Sequence, residues 1–339
     1  MSPIRARGGH ARVVAIVINH NGADHLEACL ASLAAQTEPL DIVVVDNAST
    51  DGSTAILDAA AEDVGVVRNP TNRGYAGGAN DGLAHTDHPF VLLLNPDVVL
   101  APDHVRALVA ALDANPSVGS AQGRLLRREP GELPSVDQAV MDSAGHAIRR
   151  SRLFRNRGEG QPATAWAEPA AVFGVTGAAC LHRRSMLEDI AITRADGRRE
   201  VFDERLFAYF EDVDLDWRAR LRGWSARYVP DAIGWHERGG RGPRRSALVE
   251  ELNFANRLLV LAKHDVLSVR ALPLLVATTL AKAVMLHPRV LFAAVRRIRR
   301  GWRPARRDRR QIRAAATVPP GEIARRWVEP PRLGRQARG

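Results

Sequence analysis

Only two cysteines, Cys29 and Cys180, occur in the chain, too few for a disulfide framework. Long apolar runs are missing as well. The N-terminal stretch MSPIRARGGHARVVAIVINH has no signal-peptide core. After residue 240 the longest uncharged run, Ala271 to Ala281, is eleven residues, and Pro273, Lys282 and Pro288 interrupt its surroundings. A bilayer crossing takes about 20 apolar residues. These absences argue against a disulfide-stapled secreted protein and a simple membrane span, and the expected location is the cytoplasm. A dinucleotide fingerprint is also missing. G-x-G-x-x-G should follow the first strand, where NHNGADH offers a single glycine, so the oxidoreductase reading weakens.

What is present is a 45% hydrophobic chain of 339 residues, enough for a sizeable core in one large or two smaller domains. The net charge of +10 is concentrated, because RRIRRGWRPARRDRRQIR (296–313) holds ten Arg and one Asp, or +9. A nucleic-acid reader would interleave basic and aromatic residues through its folded domain. A basic block just after an apolar segment suits an anionic membrane surface instead. A solvated, disordered Arg-rich tail is the alternative.

Over the first 125 residues, strand-like runs alternate with amphipathic, helix-length segments. The runs are RVVAIVIN (12–19), DIVVVD (41–46), VGVV (64–67), FVLLLN (90–95) and VGSAQG (118–123). This β-α repetition predicts an α/β fold with a mostly parallel sheet covered by helices on both faces, whose ligands bind at the carboxyl ends of the strands. Those ends are polar: Asn19-His20-Asn21, Asp46-Asn47 and Asn95-Pro96-Asp97. Asp97 belongs there because a carboxylate is costly to bury without a partner. Asp46 can accept from a base N–H or a ribose hydroxyl, or merely cap the next helix. NRGYAGGANDG (72–82) could bring backbone amides close to phosphates or a sugar, or be a plain turn into a helix.

VVAIVINHNGADHLEACLASLAAQT, IVVVDNASTDGS, NRGYAGGANDG, LLLNPDV, FDERLFAYFEDVDLDWRARLRGW and GWHERGG stand in the order and approximate spacing of the family 2 glycosyltransferases with the GT-A fold. In detail the chain resembles bacterial rhamnosyltransferases that extend lipid-linked glycans, over roughly residues 10–240. The resemblance implies inverting transfer of a sugar, L-rhamnose from dTDP-L-rhamnose, to a polyprenyl-diphosphate-linked or other cell-envelope acceptor. A galactofuranosyl or glucosyl transferase and a GT-A scaffold without turnover are the alternatives. It further implies a divalent cation, Mn2+ or Mg2+, at Asp97 and His236. Where the family shows D-x-D, this chain has Asn95-Pro96-Asp97, which leaves Asp97 as the anionic ligand. On the donor side the implied residues are Asn19, His20, Asp46, Asn47, Arg73, Gly74, Asn80 and Asn95. On the acceptor side they are Gly177 and Ala178, in VFGVTGAACLHRRSML.

An inverting displacement needs a carboxylate to take the acceptor's proton, and FAYFEDVDLDWRARL supplies several. On a helix starting near Glu211, Asp212 and Asp216 share a face while Asp214 points elsewhere. Crowding should raise their pKa values. By the family match Asp212 is the base and Glu211 its support, while acids suiting a helix N-terminus explain part of the cluster. DSAGHAIRRSRLFRNRGEGQ (142–161) reads as an irregular, basic loop, a mobile lid over the donor without catalytic residues. The expected divisions are a flexible 1–11, a catalytic 12–240, a helical membrane-interface region 241–295 and an Arg-rich tail 296–339. Together they describe a protein peripheral on the inner face of the cell membrane. A soluble helical region that forms a homodimer is the competing reading of the C-terminal part.

Overall fold

The structure, a computed structural model, describes residues 11–149, 152–237, 246–264 and 272–329. Its first half alternates as the periodicity requires: β1 (Val13–Asn19), α1 (Ala23–Ala34), β2 (Leu40–Asp46), α2 (Ser53–Ala59), β3 (Gly65–Arg68), α3 (Gly74–Ala84) and β4 (Phe90–Leu94). A short β5 (Val98–Leu100), α4 (His104–Asp113) and β6 (Val118–Arg127) follow. β1 and β4 are buried along their whole length, as befits strands covered on both faces. β4, β1, β2 and β3 lie side by side and parallel, so their carboxyl ends open on one rim.

Next come β7 (Met141–Ser143), β8 (His146–Arg149), β9 (Phe154–Asn156), β10 (Ala170–Val172), β11 (Ala179–Arg183), α5 (Arg184–Asp189), β12 (Ile192–Thr193), β13 (Arg199–Glu200), α6 (Glu211–Leu221) and β14 (Ser225–His236). β11 inserts antiparallel between β4 and β6, and β14 runs parallel to β6. The resulting sheet has ten strands, with one apolar cluster on each face.

The stretch expected to be an irregular lid instead carries β7, β8 and β9. Met141, Ala144 and Ile148 are fully buried, and β7 pairs with β6. Its arginines obscured a short apolar alternation that the sheet uses.

α7 (Ala247–His264), α8 (Leu272–Met285), α9 (Pro288–Ala315), α10 (Pro320–Trp327) and β15 (Val328–Glu329) complete the chain. The Arg-rich block is helical and docked. Val290, Ala294, Ala305, Asp308 and Ile312 recur at helical spacing and are buried. The expected division at 295/296 therefore falls inside α9, while the one at 240/241 lies outside the described residues. α7 is core, since Leu252, Ala255, Asn256, Val260, Lys263 and His264 are buried, and a third apolar cluster joins α6, α7 and α9. No helix among the described residues is long and apolar enough to cross a membrane.

Candidate active site

Five of the donor-side candidates form one connected rim. Asn19 Nδ2 donates to Asp46 Oδ1 (3.0 Å), and Ser49 supplies that carboxylate through its hydroxyl (2.6 Å) and its backbone N–H (3.3 Å). Asp46 thus ties β1 to the turn after β2, and it does not cap α2. Asp51, before the Gly52 cap of α2, accepts from Ser53 N and from Ala23 N at the start of α1, both at 2.9 Å. His20 Nδ1 meets Asn47 O at 2.9 Å, and Asn47 Nδ2 donates to Gly74 O at 2.9 Å. Gly74 has φ +68°, and a Cβ there would lie 2.3 Å from Phe207 O, so the start of α3 admits only glycine.

Arg73 and Asn80 turn away from this rim toward the segment before α6. Arg73 pairs with Asp81 and with Glu204 (2.8 Å), and Asn80 exchanges hydrogen bonds with the Phe202 backbone (2.8 and 2.9 Å). Sequence spacing could not show the contacts to Glu204 and Phe202, which lie more than 120 residues away.

Asp97 lies between β4 and β5, and β5 pairs antiparallel with the end of β14, which brings His236 alongside. His236 Nε2 is 3.4 Å from Asp97 Oδ1, and its Nδ1 is 2.9 Å from Asp142 Oδ2. Burial pulls the imidazole pKa down, but Asp142 and Asp97 override it and raise it to about 9. Asp142 comes from the stretch read as a lid, and its hydrogen bond fixes the ring so that Nε2 faces Asp97. Among the described residues no group of three or more His, Cys, Asp or Glu could hold a metal ion. A divalent cation that keeps waters and binds donor phosphates needs only one or two protein ligands, so one carboxylate and one imidazole fit that role once His236 gives up its Nε2 proton to the incoming metal.

α6 starts after Tyr209 and Phe210, both left-handed (φ 66° and 72°), a costly conformation that aims its first turn. Glu211, Asp214 and Asp216 are at most 5% exposed, while the Asp212 side chain is 20% exposed and lines a hollow with Tyr75, Gly177, His182 and Phe202. Asp212 accepts from Gly177 N (3.1 Å) and Val213 N (2.7 Å). Asp212 and Asp216 do share a face, and His146 of β8 fills it. Its Nδ1 meets Asp216 Oδ2 at 2.7 Å, and its Nε2 lies 3.5 Å from Asp212 Oδ2. Asp214 points elsewhere, to Lys263 and His264 (both 2.8 Å) and Arg218 (3.0 Å).

The expected crowding effect falls on Glu211 and Asp216 and spares Asp212. Burial and Asp212 push Glu211 well above the carboxylate range. Burial would raise Asp212 too, but His146 and the Gly177 and Val213 amides hold it below its ordinary value. Burial lowers His146, and the two aspartates then lift it to about 10, so it is a cation at neutral pH. His146 was missed in the sequence because nothing local marks it; the turn at Gly145 (φ +100°) that presents it was the available signal.

Gly177 and Ala178 join the two centres. Gly177 N donates to Asp212, while Ala178 O accepts from Asn95 N at 2.9 Å, two residues before Asp97. Gly174 permits the same closeness, since a Cβ there would lie 1.7 Å from Asp216 Oδ2.

A partly exposed carboxylate, Asp212, is thus linked through Gly177 and Ala178 to the segment that carries the Asp97–His236 pair. The sequence matches Glycosyl transferase family 2 over residues 14–190, and the chain belongs to that family. It is 31% identical over 248 residues to the N-acetylglucosaminyl-diphospho-decaprenol L-rhamnosyltransferase of Mycobacterium tuberculosis, an alignment covering 67% of this chain and 78% of that one. It is 22% identical over 220 residues to a poly-beta-1,6-N-acetyl-D-glucosamine synthase of Staphylococcus aureus, covering 64% of this chain and 47% of that one. Among solved structures it is similar to GalNAc-T7 with UDP, GalNAc and Mn2+, with TM-score 0.58, 16% identity and coverage of 75% of this chain and 48% of that one. The fold is GT-A and the protein is a glycosyltransferase. The family match ends before α6, so it does not reach Asp212 or His236.

Proposed function

We propose that the protein transfers L-rhamnose from dTDP-L-rhamnose, with inversion, to a polyprenyl-diphosphate-linked glycan, working as a peripheral protein on the inner face of the cell membrane. The observation that carries the chemistry is the placement of Asp212. It is the accessible member of an otherwise buried acidic cluster and is kept ionised by His146. Asp212 takes the proton of the acceptor hydroxyl as that oxygen attacks the anomeric carbon. The bond from that carbon to the diphosphate breaks, and the nucleoside diphosphate leaves with the electron pair on the face opposite the new bond. Glu211, neutral and buried, adds no competing charge. Asp97 and His236 would hold a divalent cation, Mn2+ or Mg2+, which supplies charge neutralisation to the diphosphate when bound.

The choice of sugar and acceptor is supported by the 31% identical mycobacterial rhamnosyltransferase. The test is a thermal-shift screen over dTDP-L-rhamnose, UDP-galactofuranose, UDP-glucose and UDP-N-acetylglucosamine, followed by transfer to a short-chain prenyl-diphosphate N-acetylglucosamine. Stabilisation and turnover with dTDP-L-rhamnose are expected. Stabilisation by another donor alone refutes the donor assignment.

A further inference from the structure

α9 presents two unlike faces. Val290, Ala294, Ala305, Asp308 and Ile312 are buried on the inner face, and a Cβ on Gly301 would lie 2.8 Å from Leu259 Cδ1 of α7. Asp308 anchors that face through Arg194 (2.9 Å) and Arg205. On the outer face, Phe292, Arg299, Arg303, Arg306 and Arg310 follow at i, i+7, i+11, i+14 and i+18, with Val295 and Trp302 one row aside. All seven are exposed, Phe292 by 70% and Val295 and Trp302 by 42% each. The end of α8, two residues before α9, adds exposed apolar side chains, Leu280 61% and Val284 and Met285 each 85% exposed. Eleven large apolar side chains are exposed among the described residues, and seven of them lie on these two helices.

We propose that this outer face of α9, with the end of α8, is a docking surface for an anionic lipid bilayer, lying in the interface with Phe292, Trp302, Val284 and Met285 in the acyl boundary and the arginines on phospholipid head groups. Two independent signals meet on one face, as interfacial binding requires. The charge pattern selects this occupant. A second copy would bring one Arg row against another. A nucleic acid could use the arginines but would leave Leu280, Val284 and Met285 in water, since aliphatic chains make no stacking platform. The surface deepens the proposed function, resting on its lipid-linked acceptor for a purpose, because docking would hold the enzyme where such an acceptor resides. The docked inner face also makes this more than a tail. α9 meets Lys263 of α7, which contacts Asp214 of the catalytic helix.

The test uses the full chain and vesicles of phosphatidylcholine with or without phosphatidylglycerol, read by co-sedimentation and by hydrogen exchange of peptides spanning 280–313. Strong binding to the phosphatidylglycerol vesicles, loss in high salt and slowed exchange on those peptides are expected. Arg299→Glu, Arg303→Glu, Arg306→Glu and Arg310→Glu together should weaken binding at least about tenfold, and Phe292→Ser with Trp302→Ser by a similar factor. Both variants should melt like the wild type and keep full transfer to a short-chain, water-soluble acceptor. Equal binding to neutral vesicles, absence of vesicle binding, or a dimer dispersed by Phe292→Ser with Trp302→Ser in place of vesicle binding overturns the proposal. Vesicle binding as expected, without transfer to any lipid-linked acceptor, refutes the proposed function and leaves this surface standing.

Discussion

His146→Gln removes the cation between two carboxylates while keeping a hydrogen-bond donor. His146 is 6% exposed, with Asp216 on one nitrogen and Asp212 on the other. Breaking one partner out of a buried charged set costs about 3–5 kcal/mol, and a loss near the lower figure is expected because Gln still donates to Asp216. The sign follows from the raised pKa. The His146 contribution is complete below its unfolded value of about 6.5 and is lost as pH rises through about 10. Stability of wild type and variant should therefore differ most near pH 6 and converge toward pH 10. Asp216, pushed up to about 6 by burial against the lowering effect of His146, titrates at the low end of this range and moves further up in the variant, which adds to the difference there. Activity carries the second readout. The groups facing Asp212 are Glu211, Asp216, Cys180, Tyr75, His182 and His146. His182, lowered to about 4 by burial, is neutral, so His146 carries the positive charge. Without it the acid limb of the pH–rate profile should move up by about one unit or more. The assay is urea unfolding from pH 6 to 10 beside the pH dependence of kcat. An unmoved acid limb with wild-type kcat would refute the assignment of His146 as the group that keeps Asp212 ionised.

Asp212→Asn should lower kcat by about 100-fold or more with donor binding retained in a thermal-shift titration, whereas Glu211→Gln should cost far less. Asp97→Asn should abolish the response of turnover to added Mn2+ while the melting temperature without metal stays within a degree or two, a comparison read by titrating metal into both proteins. Lys263→Met takes a buried cation away from Asp203 and Asp214, which keep Arg194 and Arg205, and Arg218 and His264, and should cost up to about 3–5 kcal/mol in urea unfolding; a chain stopped before Ala247 loses His264 and the buried face of α7 as well and should fail to give a cooperative melt. Gly74→Ala should destabilise by more than about 1 kcal/mol through its positive φ and the Phe207 carbonyl.

The parallel half of the sheet was legible because each of its strands is locally complete: VVAIVIN, DIVVVD and FVLLL are apolar runs ended by polar residues. Residues 142–161 were not, because short strands leave no apolar periodicity when Ala144 and Ile148 share the buried positions with Asp142, Ser143 and His146. The same stretch hid Asp142 and His146, whose partners lie 94 and 70 residues away. Asp212 stood out as part of an acidic cluster, but the effect of crowding on it depends on a histidine from another strand. The arginine block looked like a tail because its charge is continuous, while the five residues that dock it are spread over 23 positions.

Asp308 is the single acid among the eleven arginines of α9, and it faces inward. Its bonds to Arg194 and Arg205 therefore act as a key in a lock for rotation. Turning the helix by one residue, about 100°, would draw the carboxylate out of its pocket and drive a guanidinium toward Lys263. Asp308, almost wholly buried, adds a directional constraint to the apolar residues that dock the same face of α9. The arginines outside are then free to vary in number and order without changing which way they point.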